Sequence, residues 1–222
     1  MKKILLGGLF LGWSGLTNAV RAQVFEPIEN RPHTVGLSSG LNYNLIGLTL
    51  GYAYYRAPCK TAVFVDFTQA SSLLKAGDFK AQLGLHTWQG SFHPFTLKNS
   101  LAFVYAQSLN KAGSYTGLGL NIVVNPGLRF KRFGLGADFQ YNPFLASHIT
   151  HSDEYRQNFY GNVRDGWYGL TAQNVRLGLY LAQQLGRKSA YELNFKGGYQ
   201  SNGQYDKLAP NAYAVIGLNK LF

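Results

Sequence analysis

The stretch GLGLNIVVNPGLRF (Gly117–Phe130) separates into two faces when alternate residues are taken together. Leu118, Leu120, Ile122, Val124, Pro126, Leu128 and Phe130 fall on one face. Gly117, Gly119, Asn121, Val123, Asn125, Gly127 and Arg129 fall on the other. A strand points successive side chains to opposite sides, so a period of two reads as β. One face suits hydrocarbon and the other is small or polar, as in a wall between lipid and a lumen.

The same alternation recurs along the chain. Ile46, Leu48, Leu50, Tyr52 and Tyr54 oppose Gly47, Thr49, Gly51 and Ala53, and Phe133, Leu135, Phe139 and Tyr141 oppose Gly134, Gly136, Asp138 and Gln140. Val175, Leu177, Leu179 and Leu181 oppose Asn174, Arg176, Gly178 and Tyr180, while Tyr191, Leu193, Phe195 and Tyr199 oppose Glu192, Asn194, Lys196 and Gln200. Ten strands are predicted, over 33–41, 44–55, 61–69, 80–92, 100–109, 115–130, 133–144, 173–185, 190–200 and 211–222. The fold class is all-β, an antiparallel transmembrane β-barrel with ten strands, eight or twelve being the alternatives. A soluble lipocalin-like barrel would bury its apolar face and expose lysine and glutamate. Here the polar face is instead rich in glycine and amide. Mean hydropathy near zero fits a wall in which only alternate residues meet lipid.

Ahead of the strands, Lys2 and Lys3 precede one apolar run, Ile4–Leu16, and then Val20-Arg21-Ala22. That run is shorter than the roughly 20 residues of a spanning helix, and it reads as a secretory leader cleaved after Ala22, or after Ala19. The domain plan is therefore a signal peptide at 1–22, a short periplasmic segment at 23–32 and a barrel domain at 33–222. Cys59 stands alone, which excludes an intramolecular disulfide and leaves no Cys for lipid attachment after the leader. The formal charge of +11 falls to +8 when Lys2, Lys3 and Arg21 leave with the leader. The basic residues form no run or stripe, so anionic lipid and lipopolysaccharide are the expected counter-charges and nucleic acid is not an expected partner.

The last strand, Ala212 to Phe222, resembles the C-terminal signal of bacterial outer-membrane barrels. In that class the final aromatic and alternate residues before it are read by the barrel assembly machinery. Phe222, Leu218 and Ile216 match, whereas Lys220 departs by placing a charge outward, where a lysine near a rim can snorkel. The resemblance implies a bacterial outer membrane with Phe222 on the periplasmic side. Connections on that side are then short: Arg56–Lys60, His93–Asn99, Lys131–Arg132 and Gly186–Ser189. The opposite set includes 70–80, 146–172 and 201–210. Aromatics are expected as girdles, with Phe92, Phe95, Phe130, Phe133 and Phe222 at one rim. Tyr105, Tyr115, Tyr141, Phe144, Tyr168 and Tyr199 are expected at the other. Asn125-Pro126-Gly127 is expected to make a bulge or kink.

Two places carry candidate chemistry. Asp66, Arg129, Asp138, Arg176, Glu192 and Lys196 fall on the interior face and predict a charge-balanced network filling a narrow lumen, since unpaired charges there are costly. The long loop at 146–172 carries Tyr155, Arg156, Phe159, Tyr160, Arg164, Trp167 and Tyr168, the aromatic-plus-arginine content of binding hot spots. That loop also holds His148, Thr150, His151, Ser152, Asp153 and Glu154. Lipid A deacylases and outer-membrane phospholipases set a His and a Ser two residues apart, so that the imidazole takes the hydroxyl proton. This chain offers Thr150 at that spacing from His148, and His151 beside Ser152. Asp153 or Glu154 would have to orient the ring. No catalytic residue, metal site or cofactor is assigned. The reading is a small non-enzymatic envelope barrel with extracellular loops for recognition, adhesion or accessory roles, and an extracellular ligand or envelope protein as partner. The alternative is a lipid-modifying hydrolase. A narrow solute channel or a secretion or conjugation accessory barrel comes third.

Overall fold

A computed structural model describes residues 25–26, 30–42, 45–70, 78–89, 93–110, 113–158, 164–186, 190–201 and 211–222. The leader lies outside these residues, as do Phe92, Phe159, Tyr160, Arg187 and Lys188. Ten antiparallel strands close into one barrel in sequence order, with β10 returning to β1. They are β1 (His33–Asn42), β2 (Leu45–Arg56), β3 (Thr61–Ala70), β4 (Phe79–Gln89), β5 (Phe95–Asn110), β6 (Gly113–Phe130), β7 (Phe133–His151), β8 (Gly166–Leu185), β9 (Tyr191–Ser201) and β10 (Asn211–Leu221). A short α-helix, α1 (Asp153–Asn158), lies between β7 and β8. His33 and Phe222 exchange both backbone hydrogen bonds, at 3.1 and 3.0 Å, and so close the barrel at what we call the near rim.

The outer wall is the predicted apolar face. Leu48, Leu50, Leu83, Leu85, Leu101, Phe103, Leu177, Leu179, Leu193, Phe195, Ile216 and Leu218 are all exposed. Exposed apolar residues in continuous bands would be a liability in water and belong in hydrocarbon. The architecture is that of an outer-membrane β-barrel. Closure also removes sheet edges, so every strand finds partners on both sides without water.

The near-rim girdle has Phe95, Phe130, Phe133 and Phe222 pointing outward, and Tyr105, Tyr141 and Tyr199 point outward at the far rim. Tyr115 and Phe144 depart from the expectation and are buried inside. Their parity explains it: Tyr115 shares a face with Gly117 and Asn121, and Phe144 shares one with Asn142. The ladder runs without a register shift through Asn125–Gly127, so no bulge forms there. The shift lies between Leu118 and Gly119, opposite Ala146 and Phe144. Gly127 serves another purpose. A Cβ there would lie 1.9 Å from the Tyr180 hydroxyl and 2.6 Å from the Leu135 carbonyl, so glycine makes room for Tyr180.

Three strands run longer than expected. β5 begins at Phe95, which turns Lys98 into the lumen instead of leaving it on a turn. β7 and β8 continue to His151 and from Gly166, so the predicted loop at 146–172 shrinks to 152–165. From Tyr141 at the far girdle to His148 is seven residues, roughly 23 Å at about 3.3 Å per strand residue. β6, β7 and β8 therefore stand above the girdle as a wing, with the end of β5 paired along its edge.

Candidate functional site

The lumen is filled by side chains. Lys80, His86, Asn121, Glu192, Thr68 and Asn219 have no accessible surface, and Phe64 and Tyr180 are almost as deeply enclosed. Toward the near end, Tyr55, Phe64 and Trp88 pack with Ala53, Ala62 and Ala102 into an apolar cluster. His86 stacks flat on Phe64 with ring centroids 4.0 Å apart, and its Nδ1 lies 2.7 Å from the Ser100 hydroxyl.

Of the six charged residues expected in the interior, the structure pairs Asp138 directly with Lys196 and sets Arg176 beside them over the Tyr213 ring. Lys196 donates to Asp138 Oδ1 at 2.7 Å, Asn125 donates to the same oxygen at 2.6 Å, and the Tyr213 hydroxyl donates to Oδ2 at 3.0 Å. Arg176 stacks 4.7 Å over the Tyr213 ring and donates from Nε to Gln200 at 3.1 Å. Ion pairing combined with several neutral donors is what makes a buried carboxylate tolerable. Asp66 faces Gln82 across the β3–β4 ladder, one inward position from Lys80. Glu192 and Arg129 take part elsewhere, at the near mouth. Lys80 and Lys98, absent from the expected network, also face the lumen and tip the described interior from balance toward positive charge.

The near mouth holds residues from ahead of β1. Phe25 is 1 % exposed, and its backbone N–H donates to Glu192 Oε2 at 3.2 Å. The Arg129 guanidinium lies 5.0 Å over the Phe25 ring, and the Tyr55 hydroxyl donates to Glu26. Within the segment expected to be periplasmic, at 23–32, these two residues turn into the barrel.

The far end is built on His151. The bulge after Phe144 shifts the parity of β7, so Ser147 and His151 face inward while His148 faces outward against Trp167, with ring centroids 5.3 Å apart. His151 Nδ1 lies 3.0 Å from Asp165 Oδ1, and its backbone N–H donates to the same oxygen at 2.9 Å. Arg156 of α1 donates to Asp165 Oδ2. Tyr155 stacks on the His151 ring at 5.3 Å. Asp165 thus ties the end of β7, α1 and the start of β8 into one cap. Hydrogen bonds from the His151 backbone and ring, aided by the nearby Arg156 charge, hold its carboxyl below the ordinary carboxylate value.

Several expectations change here. Tyr155 is buried and Arg156 is engaged with Asp165, so both shape the cap and neither leads its exposed surface. Arg164, Trp167 and Tyr168 are exposed, with Trp167 63 % and neighbouring Leu170 54 % accessible. Phe159 and Tyr160 lie outside the described residues. Asp153 and Glu154 sit exposed in the first turn of α1, and the orienting carboxylate is Asp165, fourteen positions from His151 and without a motif to announce it. An Asp–His pair supplies two of the three members of a nucleophile-activating triad. Among the described residues, no hydroxyl is bonded to His151 Nε2, and the Ser152 hydroxyl accepts the Tyr155 N–H at the start of α1. No group of three potential metal ligands occurs among the described residues.

No protein-family model and no curated protein sequence matches the chain. Among solved structures, the KdgM porin is similar at 7 % identity and a TM-score of 0.43, over 85 % of this chain and 99 % of its own. The β domain of the Bordetella autotransporter BrkA is similar at 12 % identity and 0.37, over 86 % and 99 %. A BenF-like porin from Pseudomonas fluorescens gives 10 % identity and 0.29, over 84 % and 59 %. Values this low say nothing about what this chain binds.

Proposed function

We propose that this chain is a non-enzymatic barrel of a bacterial outer membrane whose work is surface recognition by the β6–β8 wing. The observation that carries the reading is the ordered cap: Asp165 fixes both strand ends and α1, and leaves Arg164, Trp167, Tyr168 and Leu170 exposed above the girdle. Tying the loop down in advance lowers the ordering cost of binding, and exposed Trp, Tyr and Arg are the residues that dominate interface energies. The near rim then faces the periplasm, and the C-terminal strand is the segment the assembly machinery would read. Lipopolysaccharide surrounds the wing at this height and is one candidate partner, an envelope or extracellular protein the other.

The test uses refolded protein in nanodiscs against intact bacterial cells and against purified lipopolysaccharide. An Arg164→Ala/Trp167→Ala/Tyr168→Ala variant is expected to lose at least about tenfold in binding, the scale of hot-spot truncation, while its barrel remains folded. Equal binding by parent and variant would remove the wing as the site.

One observation favours a second reading. Lys80, Lys98, Arg129, Arg176 and Lys196 outnumber Asp66, Asp138 and Glu192 inside the barrel, which suits a gated path for a small anionic solute. The filled lumen places any such path in a state other than the one described.

A further inference from the structure

We propose that Phe25 and Glu26 form a releasable plug that seals the near mouth of the lumen. Two residues that merely preceded the first strand would lie along the outside of the rim. These reach three different strands: Tyr55 on β2, Arg129 on β6 and Glu192 on β9. Around the closed wall those strands stand four, three and three positions apart. Anchors spread in that way hold the segment across the opening and not against one side of it.

The chemistry of the contacts explains why the plug closes and why it can leave. The Phe25 ring covers the guanidinium of Arg129, and so shields an interior cation at the mouth without presenting a fixed counter-charge. Glu192 receives a backbone N–H, a bond indifferent to which residue occupies position 25. Glu26 meets a neutral tyrosine hydroxyl. Between the plug and the wall of β4, β5 and β6 lies a cavity of about 20 Å³, room for a single water, lined by Phe25, Glu26, Trp88, Gln89, Thr96 and Arg129 among others. The plug is attached to the barrel through Pro32, whose carbonyl accepts the Tyr55 N–H at 2.7 Å, so displacing residues 25–26 need not disturb the β1–β10 seam.

The seal is read by thiol accessibility beneath it. In a Cys59→Ser background, Thr96→Cys is placed in the cavity wall, and a small cationic thiosulfonate reagent is added to folded protein in nanodiscs. With the native plug, labelling is expected to be slow. Adding Phe25→Ala and Glu26→Gln is expected to raise the rate by at least tenfold, and Phe25→Leu, which keeps apolar bulk, by less. Labelling of a separate Trp167→Cys at the far wing should stay constant, which controls for reagent activity, and unchanged migration of the unheated protein on SDS gels reports that the barrel is folded. Fast labelling of Thr96→Cys with the native plug, or equal rates with and without it, would overturn the proposal.

Discussion

Lys196 on β9 reaches Asp138 on β7 at 2.7 Å across the intervening strand, and the residue they pass over is Gly178. Asp138 and Gly198 are the two ladder partners of Gly178, so any side chain at 178 would stand between the ions. A Cβ there would lie 2.3 Å from the Tyr213 hydroxyl, which is itself bonded to Asp138. Charge, hydroxyl and glycine are one unit contributed by four strands.

Removing the carboxylate should therefore be severe. Asp138→Ala leaves Lys196 enclosed without its counter-ion, and loss of one partner from a buried pair costs about 3–5 kcal/mol. Urea unfolding in detergent micelles, followed by tryptophan fluorescence, should show the midpoint falling sharply. A variant as stable as the parent would show that water reaches Lys196.

Gly178→Ala tests the same unit sterically. The added methyl would also lie 2.5 Å from the Gly197 carbonyl, which is backbone and cannot swing away. Overpacking costs about 1–3 kcal/mol, and the same unfolding measurement should report a loss of that order. Tyr213→Phe removes the nearest conflicting atom and should recover part of it in the double variant. No recovery would place the strain wholly in the backbone.

The cap should loosen in acid. Asp165 has a folded value below its ordinary 3.8, so its bonds to His151 and Arg156 contribute stability above that pH. That contribution is lost as pH falls through the lower folded value. The group is solvent-exposed and the effect is local. Hydrogen exchange at 152–158 and 164–165 should be slow at pH 6 and quicken below pH 4, after correction for intrinsic exchange. Asp165→Asn should quicken it at pH 6 and flatten the pH dependence. An unchanged profile in that variant would remove Asp165 as the tie.

The lumen should be electrically silent at rest. The protein in planar bilayers is expected to give no stable conductance steps, because inward-facing side chains from every strand are buried against one another. Steady steps from the parent protein would replace the recognition reading with the channel one.

The wall was legible from alternation because lipid and lumen impose opposite chemistry on successive residues, and Gly117–Phe130 alone carries that signal. The interior ions at Asp138, Arg176 and Lys196 followed from the same parity. What parity cannot see is where strands begin. Lys98 falls within the expected His93–Asn99 connection, whereas β5 already begins at Phe95. Strand ends above the girdle were hidden for a physical reason: outside hydrocarbon, the outer face no longer has to be apolar. His148, Thr150 and Trp167 therefore break the pattern while remaining in strands. Asp165 and the plug depend on contacts between distant segments. Phe25 and Glu192 are 167 positions apart, and no local spacing connects them.

Orientation underlies the whole account, and the native Cys59 offers a direct test. It is exposed in the short turn between β2 and β3 at the near rim, opposite the wing. Intact cells expressing either the parent or a Cys59→Ser/Trp167→Cys variant are treated with a maleimide attached to polyethylene glycol too large for porins. Labelling is expected at position 167 on intact cells, and at Cys59 only after the outer membrane is opened. Labelling of Cys59 on intact cells, with position 167 protected, would put the wing in the periplasm and contradict surface recognition.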